Sequence, residues 1–79
     1  MFKVEDIIQH KVSRQVWKII LMGEQVSHIQ LVDRKDSKVN YYKVGDTFEY
    51  YRTEHLISHY WELAIPYVNE QKLKKALGI

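Results

Sequence analysis

The chain has 79 residues, a net charge of +2 and no cysteine, and its apolar content includes two Trp, six Tyr and two Phe. That length holds one domain around one small core, and the lack of cysteine excludes disulfides, thiolate metal sites and a cysteine nucleophile. No apolar run reaches the roughly eighteen residues of a transmembrane helix. Asp6, His10, Lys11 and Arg14 interrupt the first apolar stretch, so no signal peptide is expected either.

Taken in chain order, the sequence reads as short strands separated by turn signals. Residues 7–12, Ile-Ile-Gln-His-Lys-Val, alternate after a Glu5-Asp6 turn. Ser13-Arg14-Gln15 is a polar break. Residues 16–22 form an almost wholly apolar strand with Trp17, Ile19 and Leu21 on one face and Val16, Lys18, Ile20 and Met22 on the other. Such a strand is covered on both sides or offers an interface, so a homodimer through Val16–Met22 is one expectation. Gly23-Glu24 is a hairpin signal. Residues 25–33 return, with Ile29 and Leu31 on the core face. Residues 33–38 are six polar residues, a solvated loop, and residues 39–42 a short strand. Gly45-Asp46 breaks the chain before residues 47–52, which have high β-propensity.

Residues 53–64 fit period two and period 3.6 alike. We read a turn over 53–57 and a strand over 59–63. Pro66 lacks an amide proton and ends the strand. Asn69 is a good N-cap for a helix over 70–77, whose apolar stripe is Leu73, Ala76 and Leu77 and whose stop is Gly78. So short a helix must pack against the body to persist.

One phrase occurs twice. Phe2-Lys3-Val4-Glu5-Asp6-Ile7-Ile8 returns as Tyr42-Lys43-Val44-Gly45-Asp46-Thr47-Phe48. Both read aromatic, Lys, Val, turn residue, Asp, any residue, apolar, and both open a strand.

With this opening turn, Trp17-Lys18-Ile19-Ile20 as second strand, His28-Ile29-Gln30-Leu31-Val32 as third and Trp61-Glu62-Leu63 closing, residues 2–64 resemble the SH3-like barrels, a class that includes KOW-type modules and many small bacterial and phage proteins. The resemblance implies a mainly β fold: a five-stranded SH3-like small barrel over residues 1–65, with a short C-terminal helix over 66–79 docked on it. The second strand has no KOW-style glycine, which gives a ribosomal or polymerase role little support. In style the chain is also similar to small proteins of low-GC Gram-positive bacteria and their phages, so an accessory or inhibitory factor of a mobile element, acting in the cytoplasm, is the expected setting.

The residues offer little for catalysis. The three glycines lie far apart, so no phosphate loop is present, and no Ser-His-acid order with a nucleophile elbow appears. His55 and His59 are spaced i, i+4, but a zinc site needs three or four supported ligands, so neither metal nor cofactor is expected. Carboxylate pairs need a pocket to act as acid and base, and a filled small barrel rarely provides one. An enzyme is not expected.

Aromatics crowd the second half of the chain, and alternation leaves several tyrosines outside a barrel. Such a face can grip an extended peptide or, interleaved with cations, stack single-stranded bases. The expected function is therefore binding of a protein partner through Tyr41, Tyr51, Arg52 and Tyr60. The alternative is a nucleic-acid module using Lys35, Lys38, Lys43, Arg52, Lys72, Lys74 and Lys75. The charge balance weighs against that alternative. Residues 1–66 carry nine Lys/Arg and nine Asp/Glu, and the surplus lies in the tail, where three lysines face Glu70 alone. A nucleic-acid binder usually carries a basic stripe on its body too. No membrane partner is expected.

Overall fold

The computed structural model describes residues 2–35, 42–51 and 60–79 and, for Tyr50 and Tyr51, the backbone alone. Strands β1 (Ile7–His10), β2 (Val16–Met22), β3 (Val26–Asp33), β4 (Thr47–Tyr51) and β5 (Trp61–Leu63) precede one helix, α1 (Ile65–Leu77). The fold is mainly β. All five strands pair antiparallel in one sheet of order β4-β3-β2-β1-β5. The first four form a meander, and β5 returns beside β1, matching Ile8 to Leu63 and His10 to Trp61. No pairing joins β4 to β5 among the described residues, so the sheet is not closed into the expected barrel.

The two copies of the repeated phrase build the same object. The Asp6 amide donates to the Lys3 carbonyl (3.1 Å) and the Asp46 amide to that of Lys43 (2.9 Å). Each aspartate then clamps its turn, with Oδ2 accepting from the Lys3 or Lys43 amide at 2.9 Å. Glu5 and Gly45, third in each turn, have φ of 79° and 96°, as a type II turn requires. Both turns are stitched to the neighbouring strand by a reciprocal pair of bonds. Glu5 and Asp6 bracket Ile19 of β2, and Gly45 and Asp46 bracket Leu31 of β3, at 2.8–3.0 Å. The central pairings obey the same relation. Lys18 faces Gln30, and the pairs on either side, Ile19↔Ile29 and Trp17↔Leu31, are equivalent. The β1–β2 and β4–β3 pairs are thus related by a local two-fold through Lys18 and Gln30.

The core lies on one face of the sheet: Ile8, Trp17, Ile19, Ile29, Leu31 and Trp61, with Phe2, Met22, Tyr42 and Phe48 packed at its margin. The two aromatics that open the repeated phrase both sit at that margin. Burying each large core side chain contributes about 1.5–3 kcal/mol, which a sheet of short strands needs. Two register shifts bend the central pair. Val16 pairs with Asp33 while Trp17 pairs with Leu31, leaving Val32 as an extra residue on β3, and Ile20 is extra on β2 between Ile19 and Leu21. The second shift explains a difference from the alternation pattern. Leu21, expected beside Trp17 and Ile19, is 52% exposed, and Met22 packs on the core instead, because one inserted residue reverses the facing of all that follow.

Other boundaries also differ from the sequence reading. Strand β1 ends at His10, since the His10 carbonyl accepts from the Arg14 amide (2.9 Å) to close a turn. The β2–β3 hairpin turns on Glu24 and Gln25, with the Gly23 amide donating to Val26 at 2.8 Å. A Cβ on Gly23 would lie 2.9 Å from that carbonyl oxygen, so glycine belongs there. Tyr42 lies outside any strand, and Tyr60 is in a turn before β5. Helix α1 begins at Ile65 rather than residue 70, with Pro66 in its first turn and no side-chain cap at Ala64. Pro66 does end the strand. It also opens the helix, because its φ suits the first turn and its missing N–H would have no partner there. Asn69 is therefore interior. Gly78, left-handed, caps the C-terminus as expected.

The helix touches the sheet near its start. Tyr67 and Val68 are half-buried, and no helix residue is fully buried. Lys35 reaches Glu70 at 3.2 Å and lies over the Tyr67 ring, 4.9 Å from its centroid. Residues 36–38 of the loop expected over 33–38, residues 39–41 of the short strand expected over 39–42, the turn expected over 53–57 and the His55/His59 pair lie outside the described residues.

Candidate functional site

Trp17 of β2, Ile29 of β3, Phe48 of β4, Trp61 of β5 and Tyr42 line one cavity of about 180 Å³, together with His10, Ser13 and Gln15. Phe48 and Trp61 come from the two edge strands, so the sheet curls enough to bring its ends to one cleft. The rings meet edge to face. Trp17 and Tyr42 lie 5.3 Å apart at 78°, and Tyr42 and Phe48 5.6 Å apart at 83°, the arrangement that ring quadrupoles favour. The repeated turn places Tyr42, since its Lys43–Asp46 clamp anchors the chain immediately after it.

His10 forms the polar side of the cleft. Its Nδ1 accepts from the amides of Val12 (3.2 Å) and Ser13 (3.1 Å), so the neutral ring carries its proton on Nε2. Burial disfavours the charged form and lowers the His10 pKa below its ordinary value. The ring stands edge-on to Trp61 (4.9 Å, 89°) and parallel to Tyr60 (6.0 Å, 4°). With His10 neutral, none of the described residues lining the cleft is charged. An apolar cavity of about 150 Å³ holds a benzene-sized ring, so this one has room for a single aromatic or branched side chain.

The residues expected to bind protein are only partly brought to this place. Tyr60 does not line the cleft but stacks on His10, which does, and is 57% exposed. Tyr51 pairs with Val26 at the end of β4, its side chain outside the described residues, as are Tyr41 and Arg52. The sequence reading missed His10, Trp17, Tyr42, Phe48 and Trp61 as a group. The available signal was the aromatic that opens each repeated phrase.

The expected nucleic-acid set is dispersed. Lys43 sits in the turn before β4, and Lys38 lies outside the described residues. Lys35 is paired with Glu70, which Lys74 also reaches at 3.3 Å. Bonds from these two lysines hold the Glu70 carboxyl below the usual range. The Tyr67 hydroxyl is pushed up by burial and by the carboxylate of Asp33. Lys72 and Lys75 lie on the helix, away from the aromatic cleft. Of the two histidines placed on strands, His28 faces Glu49 across β3–β4 at 3.4 Å.

Among the described residues no three metal-ligating side chains gather, and no helix is long and apolar enough to cross a membrane. Compared with known proteins, the chain matches no family model, no curated protein and no solved structure.

Proposed function

We infer that this chain is a small non-enzymatic interaction module that binds a protein partner by taking one apolar side chain into the aromatic cleft. The observation that carries this reading is the cleft itself: Trp17, Tyr42, Phe48 and Trp61 converge, and among the described residues lining it none is charged. Buried aromatics around a pocket are the usual anchors of protein recognition. The neutral imidazole of His10 leaves an N–H suited to a backbone carbonyl of the bound segment. Nucleic-acid binding is the weaker reading, because stacking sites need cations beside the rings to hold the backbone, and among the described residues no Lys or Arg lines the cleft, while Lys72, Lys74 and Lys75 lie on the helix. The curl of the sheet, with its edges meeting at one cleft and matching turns opening β1 and β4, supports an SH3-like barrel as the parent architecture. A role as an accessory factor of a mobile element in the cytoplasm fits a module of this size.

Selection of displayed random peptides on the wild-type chain and on Tyr42→Ala tests the reading. Enriched peptides should share one large apolar residue and lose binding to the variant. A consensus of acidic or basic residues without such an anchor, or no enrichment, would overturn it.

A further inference from the structure

A second groove lies between α1 and the outer face of the sheet. Ile7 of β1, Val32 of β3, and Tyr67 and Val68 of the helix form its apolar walls, Lys72 and Lys75 line it as well, and its volume is about 340 Å³. Val32 is the extra residue of the bulge on β3. The charge around the groove is unbalanced. Lys72 and Lys75 have no ion pair among the described residues, while the nearby carboxylates are engaged. Glu70 is shared by Lys35 and Lys74, Glu5 pairs with Lys18 at 2.8 Å, and Asp6 clamps the Lys3 amide.

We propose that this groove docks an acidic amphipathic segment of a partner protein, its apolar side chains against Ile7, Val32 and Val68 and its carboxylates on Lys72 and Lys75. The complementarity is of sign as well as shape: an apolar floor edged by two cations with no ion pair among the described residues selects a segment that is apolar on one side and acidic on the other. A nucleic acid fits less well, since Lys35 already covers the Tyr67 ring and the other apolar walls, Ile7, Val32 and Val68, are aliphatic and offer no ring for a base. A membrane surface fits less well because the apolar walls are concave. This surface is separate from the aromatic cleft and does not depend on it.

The probe is a synthetic helix-forming peptide with Leu on one face and Glu on the other, fluorescently labelled and titrated into the full chain. Binding should weaken about tenfold when Lys72 and Lys75 are both changed to Glu, the loss of roughly two favourable charge contacts and the gain of two repulsive ones. Binding should also weaken with added salt and be unchanged in Tyr42→Ala. The same peptide with Lys in place of Glu should not bind. Melting of Lys72→Glu/Lys75→Glu by circular dichroism confirms that the variant is folded, which its exposed positions favour. No binding of the Leu/Glu peptide, or equal binding by the charge-reversed chain, overturns the proposal. Tighter binding of phosphatidylserine vesicles or oligothymidylate, lost in the same variant, overturns it in favour of that occupant.

Discussion

Gly45→Ala isolates the physical basis of the repeated turn. Gly45 has φ of 96°, and a Cβ placed there meets nothing within 4 Å. The substitution therefore creates no clash with the rest of the protein, and its effect comes from the backbone. A positive φ costs an L-residue about 1–2 kcal/mol. Replacing glycine returns about 0.4–1 kcal/mol by restricting the unfolded chain. The balance is a loss of about 0.5–1 kcal/mol, or roughly 2–8 °C in melting temperature for a domain of this size. Glu5→Ala is the matched control. Its backbone already holds a non-glycine residue at φ 79°, and it loses an exposed ion pair with Lys18, worth about 0–1 kcal/mol and screened by salt. In high salt Glu5→Ala should melt close to wild type while Gly45→Ala does not. Thermal and urea unfolding, followed by circular dichroism and tryptophan fluorescence, give both numbers. An unchanged melting temperature for Gly45→Ala would refute the claim that the second turn needs a left-handed residue.

Three further outcomes are expected. Asp46→Ala removes the acceptor for the Lys43 amide and should cost about 1 kcal/mol, while Asp46→Asn, which keeps an oxygen there, costs less; equal losses in urea unfolding would discount the clamp. Ile29→Ala empties a fully buried core position between β2 and β4 and should cost about 2–5 kcal/mol, whereas Leu21→Ala, at an exposed site, should cost under about 1 kcal/mol. His10 sets a pH dependence. Its pKa is lowered in the folded chain, so the unfolded chain takes up the proton first, and the stability due to His10 is complete above about pH 6.5 and declines as pH falls below it. His10→Asn should flatten that part of a melting-temperature profile between neutral and mildly acidic pH, and an unaltered slope would assign it to other groups.

Some of the fold could be read from residue order and some could not. Strand β2 was legible to the residue because a run apolar at six of its seven positions lies between a polar break and a glycine. Ile29 and Leu31 stood out because alternation on β3 holds from Ser27 to Leu31. The facing of Leu21 was illegible, since a bulge is a property of two paired strands and leaves no mark on one of them. The helix start was obscured by Pro66, whose ring ends a strand and begins a helix equally well. The repeated phrase was visible at once, but its meaning lay in hydrogen bonds to Ile19 and Leu31, residues with no share in the phrase. The aromatic cleft was hidden for a similar reason. Its residues come from positions 10 to 61, and only the strand order and curl bring them together. Tyr60 stacks on His10 but does not line the cleft, while Trp17 and Trp61 read from the sequence only as strand residues.

The central claim, that the aromatic cleft accepts an apolar side chain, is tested most directly by titrating the isotope-labelled chain with N-acetyl-phenylalaninamide and following amide and indole resonances by NMR. The account predicts saturable shifts at the indole N–H of Trp17 and Trp61 and at the backbone of Ser13, Gln15 and Phe48, absent in Tyr42→Ala. Shifts that scatter over the surface, or that spare both indoles, would contradict it.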